Sequence, residues 1–171
     1  QSWTRADDIN EFEIEGMSIG DSALDFFVED AIKKALNKKL TYPGSKKFFQ
    51  IDPFKKYETY ENVSFSIKEG DKKYAMYQIK GMLAYINKLD ECLKKKEIIL
   101  KDISSVLVNA EEVKYEDDFG GKAGTSIAYI TDLDLSDGSI RVWCTVWDRK
   151  HEISKHWTDT LNIDVSSREY L

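Results

Sequence analysis

Alternation of apolar and polar residues in short segments is the feature that most constrains how this chain can fold. Val63, Phe65 and Ile67 alternate with polar residues, and a Glu-Gly-Asp turn then leads into a second such segment, Tyr74–Ile79. Because side chains two residues apart lie on the same face of a strand, this pattern predicts a β-hairpin with one buried face. Hairpins of this kind build antiparallel sheets.

Further segments show the same pattern. Ile127–Leu135 and Ile140–Trp147 flank a Ser-Asp-Gly-Ser turn and predict a second hairpin. Alternation in Leu161–Val165 predicts a final strand, and alternation in Glu11–Glu15 predicts an N-terminal one. The acidic and then glycine-rich segment 116–125 predicts a loop.

Two segments instead carry apolar residues three and four positions apart, which predicts amphipathic helices. The first is expected to begin at Asp21 or Ser22, either of which can cap a helix, and to run to about Leu36. The second covers 86–110, and a bend is expected near Lys96, which falls in the middle of its apolar stripe.

An internal echo relates the two halves of the chain. The segment Phe12–Met17 recurs as Tyr77–Met82, and a Leu-Asp pair recurs at the same spacing of 65 residues. This indicates two tandem strand–helix–hairpin units, 11–76 and 77–171, with chance similarity as the alternative. No linker divides residues 7–171, so we expect one α+β domain with helices packed on one face of an antiparallel sheet.

Composition excludes several classes of protein. The 171 residues are 12% aromatic, which argues against disorder, and no segment approaches the roughly 20 apolar residues of a membrane span. The 31 acidic residues outnumber the 25 basic ones and give a net charge of −6. A nucleic-acid partner is not expected, because phosphate binding needs an excess of Lys and Arg.

Two observations favour an exported protein. Thr4 and Ala6 fit the −3 and −1 positions of a signal-peptide cleavage site, so residues 1–6 are interpreted as a signal remnant; a boundary inside a longer protein is the alternative. Cys92 and Cys144 are the two cysteines of the chain, and we expect them to form a disulfide, although two buried thiols in a reducing cytosol are the alternative. The expected location is periplasmic or otherwise exported.

Two short motifs resemble those of GDSL-type serine esterases and lipases. Residues 20–23 (Gly-Asp-Ser-Ala) resemble the nucleophile block, and residues 148–151 (Asp-Arg-Lys-His) match the DxxH block. The resemblance implies Ser22 as nucleophile, His151 as base and Asp148 as the residue that orients it. The glycine block and the Gly-x-Asn-Asp block of that family have no counterpart here, and a helix cap explains Ser22 as well.

Neither a metal nor a cofactor is predicted. The run Asp132-x-Asp134-x-x-Asp137-Gly138 departs from a calcium-binding EF-hand loop, because its glycine is one place late and position 12 is Trp143. A hairpin turn explains the Asp-Gly pair.

A tryptophan-bearing strand face is the strongest binding candidate. One face of Ile140–Trp147 is apolar and is expected to lie in the core, whereas the other carries Arg141, Trp143, Thr145 and Trp147. Trp and Arg are enriched at binding hot spots. The alternative is that a neighbouring element covers these rings.

Two further resemblances to known families rest mainly on residues 12–22. The motif 16–18 (Gly-Met-Ser) resembles one in small lipoproteins of outer-membrane assembly and in the β-lactamase-inhibitor-protein-like family, which implies helices on one face of an antiparallel sheet. Residues 12–22, with 157–161, are similar to short exported proteins of marine bacteria that have no assigned function, which implies export and no activity.

The function expected from the sequence is that of an exported, non-enzymatic binding or accessory module. Its partner, a protein or a small ligand, would contact the aromatic sheet face. A small serine esterase built on Ser22 is the alternative enzyme, and a purely structural envelope protein is the third hypothesis.

Overall fold

The computed structural model describes residues 8–41, 47–107, 109–118 and 126–171. Within them, seven strands form one antiparallel sheet in the order β1-β2-β3-β7-β6-β5-β4. The strands are β1 Phe48–Ile51, β2 Asn62–Lys68, β3 Met76–Ala84, β4 Glu111–Asp118, β5 Ile127–Asp134, β6 Gly138–Val146 and β7 Thr160–Ser167. The α-helices are α1 Glu29–Leu36, α2 Leu89–Ser104 and α3 Arg149–Lys155. The α+β class is confirmed.

Both predicted hairpins and the final strand are confirmed, and β7 joins the hairpins into one sheet. It pairs with β3 on one side and with β6 on the other. Close approach of β7 to the start of β6 depends on Gly138, because a Cβ there would collide with the carbonyl oxygen of Ser166.

The period-two pattern gives the sheet one apolar face, which we call the inner face. Its side chains form one buried cluster with residues of α1 and α2. From the sheet this cluster includes Val63, Phe65, Ile79, Ile140, Val142, Ile163 and Val165, and from the helices Ile32, Ala35, Leu100 and Ile103.

The N-terminal segment differs from the prediction. A strand at 11–15 is wrong, because Ile9–Glu11 is a 3₁₀-helix and Ile14 bridges back to Met17 in a tight turn. The Glu15 carboxylate accepts three backbone N–H groups from residues 58–60, at 2.6–2.9 Å, and so fixes this turn beside β2. Since the echoed segment 77–82 lies in β3, the two copies of the echo have different local structures.

The helices also depart from the expected boundaries. Ser22 caps only a 3₁₀ turn, Ala23–Asp25, and α1 begins later, at Glu29. The bend expected near Lys96 is wrong, because α2 is continuous and Lys96 is buried within it (5% exposed). Its aliphatic stem can cover apolar surface, and burial lowers the pKa of its ammonium. No helix in the described parts of the chain has the length and apolar character to cross a membrane.

Neither edge strand of the sheet, β1 or β4, was predicted from the sequence. The loop predicted at 116–125 is wrong for its first three residues, which belong to β4, and residues 119–125 lie outside those described. Every residue of β4 is exposed, so no apolar alternation marks it. β1 is a four-residue strand at the opposite edge.

The predicted disulfide is confirmed. Cys92 of α2 and Cys144 of β6 are bonded, with their Cα atoms 6.2 Å apart. Both are buried, and they form a second small cluster with Leu161 of β7. The bond therefore ties α2 covalently to β6.

Replacing both cysteines by alanine should lower the free energy of unfolding by about 4 kcal/mol. The disulfide joins residues 52 apart, and the chain-entropy model gives about this value for a loop of that length. Urea denaturation followed by circular dichroism measures the difference. A reducing agent should destabilise the wild type similarly and leave the double variant unchanged; an equal response of both proteins would contradict the expectation.

Candidate functional site

The outer face of β3, β7 and β6 presents three successive rows of side chains. The first row is Lys80, Asp164 and Arg141; the second is Met82, Asn162 and Trp143; the third is Ala84, Thr160 and Thr145. Residues in one row are cross-strand neighbours in the ladder, so their side chains lie close together. The face therefore changes from charged to aromatic and polar along the strands.

The second and third rows form the floor of a cleft of about 460 Å³, which we call the tryptophan cleft. Its lining includes three of the four tryptophans of the chain. The lining residues are Glu61, Lys80, Met82, Ala84, Trp143, Thr145, Trp147, His156, Trp157, Thr158, Thr160 and Asn162.

One wall of the tryptophan cleft is a pair of indoles. The rings of Trp147 and Trp157 lie with their centroids 4.4 Å apart, and Trp157 remains 44% exposed. Two residues after Trp157, the buried Asp159 accepts the backbone N–H of Trp147 at 2.9 Å and that of Asn87 at 3.2 Å. This carboxylate fixes the end of β6, from which Trp147 projects, against the loop that leads into α2.

Half of the floor of the tryptophan cleft consists of polar residues. Thr145, Thr160 and Asn162 are buried, and the Asn162 amide donates to the Thr160 hydroxyl at 2.8 Å. Such a floor offers hydrogen-bonding groups at fixed positions beneath aromatic walls, as is typical of small-molecule sites.

A second concavity of about 310 Å³, which we call the polar cleft, adjoins the first. The two clefts share Lys80 and Trp143, and the Lys80 ammonium lies 4.9 Å from the centroid of the Trp143 ring. The polar cleft is lined by Gln78, Lys80, Ser139, Arg141, Trp143, Asp164, Ser166, Tyr170 and Leu171.

The charged groups of the polar cleft are strongly coupled to their neighbours. Arg141 donates two hydrogen bonds to Asp132, at 2.7 and 2.9 Å, which raise the pKa of its guanidinium. Burial raises the pKa of Asp164 to about 6, although Arg141 and Lys80 act in the opposite direction. Gln78 also donates to Asp164, at 3.0 Å.

The structure brings the predicted binding residues to one surface. Trp143, Thr145 and Trp147 line the tryptophan cleft, whereas Arg141 lines the polar cleft. Neither Trp143 nor Trp147 is fully buried.

Three residues of the site were not predicted from the sequence: Lys80, Asn162 and Trp157. The first two alternate with the core residues of β3 and β7, a signal that places them on the outer face. Their proximity to Trp143 depends on a strand order that no local pattern reveals.

Two residues of the esterase alternative, Ser22 and Asp148, lie at opposite ends of β3. Ser22 bridges to Ala75 at the start of β3, and its hydroxyl donates to the Lys73 carbonyl at 2.6 Å. His151 lies in α3. Asp148 follows β6 beyond Thr145, which pairs with the same residue of β7 as Ala84, the last residue of β3. Nine strand residues, about 30 Å, separate the two ends.

The aspartates of the β5–β6 hairpin have protein partners. Asp132 accepts from Arg141, and Asp137 accepts the backbone N–H of Ile9 at 2.8 Å. Over the residues that the structure covers, no group of three or more His, Cys, Asp or Glu is arranged to hold a metal ion.

Comparison of the chain with protein-family models, with curated proteins and with solved structures finds no match in any of the three.

Lowering the pH through about 6 should raise the contribution of Asp164 to stability. Its pKa is about 6 in the folded protein and about 4 in the unfolded chain, so between these values the folded state binds more protons. The free energy of unfolding should then fall as the pH rises from 4.5 to 7.

Urea denaturation at pH values across this range should show a smaller decrease in the free energy of unfolding for Asp164→Asn than for the wild type. The asparagine imitates the protonated aspartate at every pH. An unchanged slope in the variant would mean that other groups cause the dependence.

Proposed function

We propose that this protein is an exported, non-enzymatic binding module whose tryptophan cleft takes a ligand with a flat or ring-shaped apolar body. The observation that carries the proposal is the convergence of Trp143, Trp147 and Trp157 on one cleft of about 460 Å³. This volume lies within the range of about 300–1,000 Å³ that is usual for small-molecule sites.

Three indoles favour a planar or ring-shaped ligand because of their geometry. Indole rings are large and rigid, so they offer apolar contact area at a low cost in side-chain entropy. Aromatic partners prefer offset or edge-to-face contacts, for which the tilted pair Trp147 and Trp157 offers two surfaces. Thr145, Thr160 and Asn162 would fix the orientation of polar substituents.

Export and accessibility are supported by other parts of the fold. The disulfide between Cys92 and Cys144 fits an oxidising compartment, such as the periplasm. Residues of α1 and α2 share the apolar cluster of the inner face, which supports the prediction that helices pack on one face of the sheet and leave the other to a ligand. The esterase alternative is disfavoured, since Ser22 and Asp148 lie at opposite ends of β3.

Naphthalene-2-acetamide, a neutral ring probe, should bind to the wild type and change its intrinsic fluorescence. Because three of the four tryptophans line the cleft, the emission reports mainly on this site. Trp147→Ala should weaken binding by roughly tenfold, since it removes one ring of the wall. Isothermal titration calorimetry gives the affinities.

Phe54→Ala is the matched control. Phe54 is 98% exposed and lies outside the tryptophan cleft, so its loss should leave the affinity unchanged. Absence of binding at millimolar probe concentration, or equal losses in both variants, would overturn the proposed function.

A further inference from the structure

Lys80 occupies the boundary between the tryptophan cleft and the polar cleft. It lines both, and its ammonium lies 4.9 Å from the centroid of the Trp143 ring. The side chain is half-buried in the middle of the sheet, where burial lowers the pKa of the ammonium. A ligand that spans the two clefts must pass this cation.

The acidic groups near Lys80 accept hydrogen bonds from other residues, and Asp164 attracts the ammonium electrostatically without forming an ion pair with it. Asp164, its cross-strand neighbour, accepts from Gln78 and Ser166, at 3.0 and 3.4 Å. Asp132 holds Arg141 through two hydrogen bonds. Among the described residues, the Lys80 ammonium has neither a hydrogen bond nor an ion pair, and its contact is the Trp143 ring.

A partly desolvated ammonium gains more from an anion than an exposed one does. Burial removes water from the ammonium, which costs free energy in the folded protein. A bound carboxylate gives the ammonium a charge-assisted hydrogen bond and so offsets that cost. Glu61 also lines the tryptophan cleft but is exposed, so solvent screens its charge. The local field of Lys80 therefore favours a negative group at the boundary of the two clefts.

We propose that the ligand of the tryptophan cleft carries a carboxylate that binds the Lys80 ammonium, with its ring body on the indoles and any further polar part in the polar cleft. This rests on the proposed function and specifies the ligand class. A singly charged group is favoured over a phosphate dianion, since Asp164 lies beside Lys80 and the Arg141 fork, suited to bidentate phosphate binding, is held by Asp132.

The test compares naphthalene-2-acetate with naphthalene-2-acetamide, which share the ring and differ in charge. Calorimetry at pH 7.5 and 0.15 M salt should show the carboxylate binding roughly tenfold more tightly to the wild type. Lys80→Met should abolish this preference and leave the affinity for the amide nearly unchanged, whereas Lys80→Arg should retain part of it. 2-Naphthyl phosphate should bind no better than the carboxylate.

Lys72→Met is the charge-matched control, because Lys72 is an exposed lysine outside both clefts. It should retain the preference for the carboxylate. Binding of both probes with equal affinity to the wild type, or a preference that survives Lys80→Met, would overturn the assignment of Lys80 while leaving the proposed function intact. Failure of both probes to bind would overturn the proposed function itself.

Discussion

β7 hydrogen-bonds to β3 along one edge and to β6 along the other, and this double pairing determines both faces of the molecule. Without β7 the sheet would be divided into two three-stranded parts, β1-β2-β3 and β6-β5-β4. With β7 between them, Ile79, Val165 and Ile140 lie side by side on the inner face. The same register places Lys80, Asp164 and Arg141 side by side on the outer face, so the core and the charged row result from one set of backbone hydrogen bonds.

The outer face of the sheet carries charged side chains that are partly removed from water. A salt bridge at a solvated surface contributes little to stability. Asp164 and Lys80, however, are partly desolvated. Burial raises the pKa of Asp164 and lowers that of Lys80, so it favours the neutral form of each. Their cross-strand attraction acts against this shift without cancelling it. Such perturbed groups in a concave site are characteristic of functional surfaces, because a purely structural sheet could place neutral residues there at lower cost.

Local sequence patterns predicted the elements that bury one face and failed for those that do not. Alternation located both hairpins and β7, since their apolar residues must meet the core. β4 gave no such signal, because its residues are exposed and its pairing with β5 comes entirely from the backbone. The turn at 14–17 carried alternation without forming a strand, because the Glu15 carboxylate binds the backbone of residues 58–60 instead.

The candidate site, too, could be predicted from local sequence patterns only in part. Trp143, Trp147 and Thr145 could be placed on one strand face by counting along β6. Their grouping with Lys80 and Asn162 could not, because it requires the order of β3, β7 and β6. The pairing of β3 with β7 joins residues about 80 positions apart, and no local pattern predicts it. Trp157 lies outside any regular strand, and its contact with Trp147 depends on the loop that Asp159 anchors.

The disulfide links this cleft to the core. Cys144 lies between Trp143 and Thr145 in β6, so the residue bonded to α2 points to the inner face while its two neighbours line the tryptophan cleft on the outer face. Covalent attachment of α2 therefore restrains the backbone that carries the floor of the cleft. A binding surface gains affinity when its groups are held in place before the ligand arrives, because less conformational entropy is lost on binding. The bond thus acts on both faces of one strand: it holds α2 to β6 and restrains the positions of Trp143 and Thr145.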